Sequence, residues 1–334
     1  MMRVQSAEKK QLGVIDALSS GFEFIARRPW AVVVPIAFNL FLWLGPPINA
    51  KPLFDQAIAL LNTSAAATTH MTPETQQGFE ATKSALQSLG ENFNALTLIA
   101  LFAIGVPALL GLEPLPTSAP RPPLWVIGDI GTLFAATAAF ALVGILVASI
   151  YLEIIARGIR GDASAQTFAP RVFRSYLNVA LLFVITFLGA AMLLSPFIIG
   201  ATLVSLINPA LASFVLVIGL MLLLWVALYL AFALPAVFVS GANALQAIWT
   251  SATIFRYNFN SAMGLIFLIY LIQAGFALLW QQLVGSAWSA MAAVIANAFL
   301  GTGLIAAAML FYNDRVNWLM EIRQRIQQQQ QFKG

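Results

Sequence analysis

Cysteine does not occur in the 334 residues, histidine occurs once, at His70, and only 9% of the side chains are charged. The missing thiols exclude disulfides, thiolate metal sites, iron–sulfur clusters and cysteine nucleophiles. A lone histidine builds no haem, pigment or histidine-rich metal site, so neither a cofactor nor a metal is expected. A soluble domain carries about 25% charged residues. At 9% the chain cannot cover an aqueous surface, which excludes an ordinary globular enzyme, a disordered protein and a nucleic-acid binder. Catalytic signatures are also missing: no Gly-rich phosphate loop with its Lys, no HExxH pair, no G-x-S-x-G elbow. Intramembrane proteolysis would need a Ser–His pair, paired aspartates or a zinc motif within apolar segments, and none is present. The chain is not expected to be an enzyme.

What the sequence has instead is apolar length: 60% hydrophobic residues and a mean hydropathy of +0.86. A spanning helix needs about 20 mainly apolar residues to cross about 30 Å of hydrocarbon. Val126–Ile155, Tyr176–Leu206, Ala210–Val239, Ala262–Val284 and Ser289–Tyr312 meet that test readily. Trp30–Ile48 reads as a shorter span, holding Pro35, Asn39 and the pair Pro46-Pro47. The run Leu96–Leu112 is short, carries Pro107 and precedes the proline-rich stretch Pro114–Pro123.

Charge decides whether that run crosses, because cytoplasmic loops accumulate Lys and Arg. If it does not cross and the N-terminus is inside, fourteen basic residues lie inside, among them Arg27, Arg28, Arg157, Arg160, Arg171, Arg174, Arg256 and Arg315. Only Lys51, Lys83 and Arg121 then lie outside. If it crosses, the four-arginine link moves to the wrong side. The expectation is therefore an all-α polytopic bundle of six spans, in three hairpins, each preceded by an interfacial amphipathic helix. Its parts are a cytoplasmic interfacial helix over 1–29, a membrane domain over 30–312 and a cytoplasmic tail over 313–334. The membrane domain includes an outer loop, 49–95, and a re-entrant or interfacial segment, 96–112. Both termini are expected in the cytoplasm. The first span would serve as an uncleaved targeting signal, and a bacterial cytoplasmic membrane fits.

The interfacial helices are read from stripes. Leu12, Ile15, Leu18, Phe22 and Ile25 recur at spacings of three and four; Leu245, Ile248, Trp249, Ala252 and Phe255 form a second stripe; Phe168–Arg174 is a weaker third. Each precedes a basic-aromatic approach to a span: Arg27-Arg28-Pro29-Trp30, Arg174-Ser175-Tyr176 and Arg256-Tyr257-Asn258-Phe259. Such side chains suit the depth where headgroups meet acyl chains. In the outer loop, Asn62–Thr72 reads as poorly ordered and Glu74–Leu89 as a surface helix.

Within the spans no charge is expected at mid-membrane; Glu153, near an inner end, has Arg157 one turn on as its expected partner. Uncharged polar residues such as Asn178 and Thr302 are expected mainly to bond across helices, for about 0.6–2 kcal/mol each. Candidates for a cavity or kink are Asn39, Ser195, Pro196, Pro235, Gln273 and Asn297, with Pro35 a further expected kink. Small residues at packing spacing are Gly131, Ala135, Ala139, Gly144, Ala148 and Gly301, which would place their two helices centrally.

The stretch Leu234-Pro235-Ala236-Val237, then Gly241, Ala244-Leu245, Trp249 and Arg256-Tyr257-Asn258-Phe259 ahead of an apolar span, resembles a bacterial membrane family. That family is related to the membrane portion of glycerophosphoryl diester phosphodiesterases, and the resemblance covers Tyr176–Tyr312. It implies a multi-span fold and no catalytic residue, since the soluble phosphodiesterase domain with its histidines and carboxylates is missing. The expected function is a scaffold, assembly factor or accessory subunit; the alternative is a transporter or channel for a small or lipid-like solute. Membrane lipids, and other membrane proteins, are the expected partners, and nucleic acid is not.

Overall fold

The computed structural model describes residues 11–67, 73–109, 124–162, 164–205, 207–283 and 286–331. His70 and the proline-rich stretch 114–123 lie outside them, as do residues 5–10 of the first amphipathic segment and 110–112 of the proposed re-entrant one. The described chain is helical apart from a two-residue parallel strand pair, and it is a multi-span membrane protein. Among the described residues five helices are long and apolar enough to cross a bilayer: α6 (Ile130–Arg160), α7 (Phe168–Ser205), the span Ala210–Ser240, α11 (Phe259–Leu283) and α12 (Ala287–Gln331). The span Ala210–Ser240 comprises α8 (Pro209–Leu230) and α9 (Ala233–Ser240).

A sixth span exists only if a bent pair is counted as one. Helix α1 (Val14–Arg27) meets Pro29–Leu44 at 95°, the latter being a 3-10 turn followed by α2 (Val33–Leu44). At about 1.5 Å per residue, Pro29–Leu44 reaches roughly 24 Å, short of the hydrocarbon thickness. The expected span Trp30–Ile48 is thus truncated: Gly45 and Pro46-Pro47 end the helix, and Ile48 belongs to a strand.

The chain divides into two compact units, the first comprising Met1–Val33, Ser149–Trp280 and Ala296–Gly334, the second Val34–Ala148 and Gln281–Ile295. In the first, α12 is the spine. Two-thirds of its most apolar stretch is buried, against 11–22% in the other spans. Helix α1 lies against it through a small-residue face: a Cβ on Gly21 would sit 2.4 Å from the Gly303 carbonyl oxygen and 2.6 Å from the Ala307 amide nitrogen. The buried line of α1 is therefore Ala17, Gly21 and Ile25, while Ile15, counted in the expected stripe, is 72% exposed. The start of α1 is clamped as well. Asp314 accepts the Leu12 N–H at 3.1 Å, and Arg315, buried, donates to the Leu12 carbonyl at 2.9 Å. On other sides of α12, Tyr151 of α6 donates to Thr302 Oγ1 at 2.9 Å, Phe232 stacks on Phe311, and Ser240 bonds Tyr312.

The weak third interfacial stretch, Phe168–Arg174, is no separate helix; it forms the first turns of the 38-residue α7. Helix α10 (Ala244–Tyr257) is separate. It turns Ala244, Ala247, Ser251, Ile254 and Phe255 inward and leaves Leu245 and Trp249 exposed. Only Phe255 of the expected stripe is in the buried set, because the small residues let α10 approach α7, α8 and α9.

In the second unit, β1 (Ile48–Asn49) pairs with β2 (Trp125–Val126), Ile48 opposite Trp125. Helices α3 (Lys51–Ala67) and α4 (Pro73–Asn92) follow β1. The Ala-rich residues 62–67, expected to be poorly ordered, are helical, as alanine's propensity favours. Gly90 lets α4 close onto Phe54, where a Cβ would come within 2.9 Å. The described part of 96–112 contains a 3-10 turn, Ala95–Thr97, and the short α5 (Leu98–Phe102), with no spanning helix. Many large apolar side chains of α7, α8 and α11 are exposed, Met192, Phe187, Phe214 and Met221 among them; a bilayer is the solvent that suits such a surface.

Candidate functional site

The sequence-derived residues separate when placed in the fold. Asn39 is buried and fully engaged: its Nδ2 donates to the carbonyls of Pro35 and Pro107, each at 2.7 Å, and its Oδ1 accepts from Leu109 N–H at 2.6 Å. It closes the segment after α5 onto α2. Pro35 lies in the first turn of α2, where a missing N–H costs no helical bond, so the expected kink is displaced to the Arg28–Pro29 bend. Ser195 and Pro196 are exposed on α7, with Ser195 Oγ donating to the Met192 carbonyl at 3.1 Å. Gln273 is half-buried, and Asn297 is buried with Nδ2 lacking a partner among the described residues. Of the small residues, Gly131, Ala135 and Ala139 are exposed, while Gly144, Ala148 and Gly301 are buried. Gly144 takes α5 rather than a second span: its Cβ would lie 2.6 Å from the Ile99 carbonyl oxygen.

Pro235 does mark a break. It stands at the third residue of α9, and the chain between α8 and α9 leaves the helical path at Phe232, whose φ and ψ are -101° and 9°. The backbone groups freed there are taken by one hydroxyl: Ser251 of α10 accepts the Phe232 N–H at 3.0 Å and donates to the Tyr229 carbonyl at 2.6 Å. In an apolar medium an unbonded backbone group costs several kcal/mol, so the break requires a side chain of this kind. Sequence reading missed Ser251, although a serine on the small-residue face of the next helix is a usable signal.

The arginines converge at the basic end of the first unit, at the foot of α6. Glu153, buried, pairs with Arg160 at 2.5 Å and not with Arg157, and Arg160 also donates to the Phe238 carbonyl near the end of α9. Arg174 reaches the Gly241 carbonyl at 3.3 Å. Cations there satisfy carbonyls that the helix leaves open and oppose its C-terminal dipole. Helix α6 itself ends on Gly161, whose φ of +70° suits glycine, and the Asp162 N–H returns to the Arg157 carbonyl at 3.2 Å.

That turn creates a cavity of about 440 Å³ lined by Arg28, Trp30, Ile154, Arg157, Gly158, Gly161, Asp162 and Phe168. Arg28 enters from the α1 bend, donates to the Gly158 carbonyl at 3.0 Å and lies 4.6 Å from the Phe24 ring centre. Arg157 donates through Nε to the Asp162 carbonyl at 3.1 Å and lies 5.5 Å from the Phe168 ring centre. Among the described residues neither guanidinium has a carboxylate at salt-bridge distance. Asp162, which also lines the cavity, pairs with Arg171 and acts on Arg157 electrostatically. Its carboxyl is held below the ordinary carboxylate range, first by the Ser164 backbone N–H and then by Arg171. Gly158 makes the cavity wall possible: a Cβ there would meet Phe24 at 2.6 Å and Arg28 Nη1 at 2.9 Å. The sequence carried the signal in Gly158-Ile159-Arg160-Gly161-Asp162, a glycine-bounded end on a long helix beside arginines. No protein-family model, no curated protein and no solved structure matches the chain.

Proposed function

We propose that this multi-span membrane protein is non-catalytic and serves as a scaffold, assembly factor or accessory subunit for other membrane proteins. One observation carries the reading: polar side chains within the spans are used to bind helix to helix. Tyr151 of α6 with Thr302 of α12, Arg160 of α6 with the Phe238 carbonyl of α9, and Ser251 of α10 with the α8–α9 break are all bonds between helices. Ser195 and Pro196, two of the candidates for a cavity or kink, are exposed on α7. The exposed small-residue line Gly131, Ala135 and Ala139 gives a neighbouring helix room to approach closely. The same proposal keeps the relation of Tyr176–Tyr312 to the membrane portion of glycerophosphoryl diester phosphodiesterases. It is supported by the Leu234-Pro235 break followed by an amphipathic α10 carrying Trp249 and Arg256, and it brings no catalytic role.

The test joins reconstitution to isolation. Purified protein in liposomes is expected to add no proton, potassium or fluorescent-phospholipid movement above protein-free vesicles. Mild-detergent extraction after crosslinking in native membranes is expected to recover it with a second polypeptide in fixed ratio. Protein-dependent flux of any of the three probes overturns the reading in favour of a transporter or channel, and recovery of the chain alone also overturns it.

A further inference from the structure

We propose that the Arg28–Arg157 cavity binds a phosphate-ester oxyanion, as carried by the headgroup of an anionic phospholipid. The inference does not rest on the scaffold reading. Two guanidiniums from different helices face one space of about 440 Å³. Among the described residues each uses a single N–H on a backbone carbonyl. A guanidinium has five donors in a planar fork, so each keeps donors for a ligand. The carbonyls they occupy are that of Gly158, in the last turn of α6, and that of Asp162, just past its end; both would otherwise face an anion unpaired.

The remaining lining selects the ligand's shape and charge. Asp162 acts on Arg157 electrostatically, but its carboxylate is bonded to Arg171 and the Ser164 N–H, so Arg28, Arg157 and Arg171 together outweigh this one anion. The rings of Phe24 and Phe168 cover one face of each guanidinium, excluding water there and directing the N–H edges elsewhere. Trp30 is 54% exposed, and Ile154 adds apolar wall. A tryptophan beside arginines is the arrangement that meets a headgroup on one side and acyl chain on the other. The charge bias along the sequence places this end on the cytoplasmic leaflet, where anionic lipids concentrate. A tetrahedral phosphate bridged by two forks with its glycerol against Trp30 fits this set. A choline headgroup would bring its cation against Arg28 and Arg157.

The experiment uses the full chain in mild detergent and measures retention of added phosphatidylglycerol against phosphatidylcholine by native mass spectrometry. The variants are R28Q, R157Q and the charge-matched control R27Q, whose side chain is exposed and paired with Glu23. Phosphatidylglycerol is expected to be retained preferentially, with about tenfold weaker binding for each cavity arginine removed and no change for R27Q. R28K and R157K, which keep the charge and lose the fork, provide a second series if a glutamine variant fails to fold; they are expected to fall between wild type and glutamine. A parallel arm adds inorganic phosphate and glycerol 3-phosphate. Arginine-dependent binding of these without lipid selectivity retains the oxyanion site and assigns it to a soluble phosphate ester. Equal retention of both lipids with no arginine-dependent phosphate binding overturns the proposal, as does an R27Q loss as large as R157Q.

Discussion

Replacing Ser251 with alanine tests whether the broken span depends on a single borrowed hydroxyl. Ser251 is fully buried, so water cannot substitute for the lost group. The variant strands the Phe232 N–H, now bonded at 3.0 Å, and removes the donor 2.6 Å from the Tyr229 carbonyl. An orphaned buried donor costs about 1–3 kcal/mol and a carbonyl somewhat less, giving about 2–3 kcal/mol together. That is roughly a 30- to 150-fold change in the unfolding ratio, since about 1.4 kcal/mol is tenfold. The measurement is reversible unfolding in mixed micelles, repeated in a Pro235→Ala background. Alanine at 235 restores an N–H that can reach the Ala231 carbonyl and close the helix across the break. With the helix closed, the Phe232 N–H and Tyr229 carbonyl regain partners along the chain, so Ser251→Ala should cost less than half as much. A loss under about 0.5 kcal/mol in the native background, or the same loss in both, would refute the reasoning.

Arg160→Met leaves the buried Glu153 without its guanidinium and is expected to cost about 3–5 kcal/mol of stability in the same assay; Glu153→Gln, which keeps a bond to Arg160, should cost less, and the double change to Leu and Met should recover most of the loss. Gly21→Leu drives a side chain into the Gly303 and Ala307 backbone; it should lift α1 from α12, read as rapid proteolysis at residues 14–27 with helical content otherwise retained. Gly144→Ala should destabilise by about 1–3 kcal/mol through the Ile99 carbonyl, a loss absent for Ala139→Leu on the exposed side of the same helix. Because the folded Asp162 carboxyl is depressed by Ser164 and Arg171, its stabilisation is complete above about pH 4 and lost as acid protonates it below that; hydrogen exchange of the turn after α6 should rise on acidification and lose this dependence in Asp162→Asn.

The long spans were legible because the bilayer sets a length and apolar side chains report it directly. Where α7 or α11 runs, greasy residues run too. The same solvent erases the signal for facing. In water the buried side of a helix is its apolar side, but α6 is apolar on all sides, and Gly131, Ala135 and Ala139 have the packing spacing of Gly144 without being packed. Spacing says where a neighbour is able to approach; it does not say that one does. For α1 and α10 the stripe was drawn through the largest apolar side chains; Ile25 and Phe255 of it are buried, but the rest of each buried face runs along Ala17 and Gly21, or Ala244, Ala247, Ser251 and Ile254. With little hydrophobic drive between helices in lipid, contact depends on how closely backbones come together, so small residues mark the inside and Ile15, Leu245 and Trp249 are left outside.

The arginines show the same limit from the electrostatic side. Counting them by leaflet treats each as one unit of positive charge, and one turn of spacing favours Arg157 as the partner of Glu153. The next turn of the same helix face carries Arg160, and local backbone decides between the two. The left-handed turn at Gly161 brings the Asp162 carbonyl to Arg157 Nε, while Phe168 draws up beside its guanidinium. Arg157 is thereby diverted from Glu153, and Arg160 falls to it. Charges equal in topology thus have unequal consequences. Arg160 and Arg315 are bound into the fold, where their loss exposes a buried carboxylate or frees the start of α1, whereas Arg28 and Arg157 retain donors toward open space. Substitutions in the first pair should be read in stability and those in the second in ligand retention.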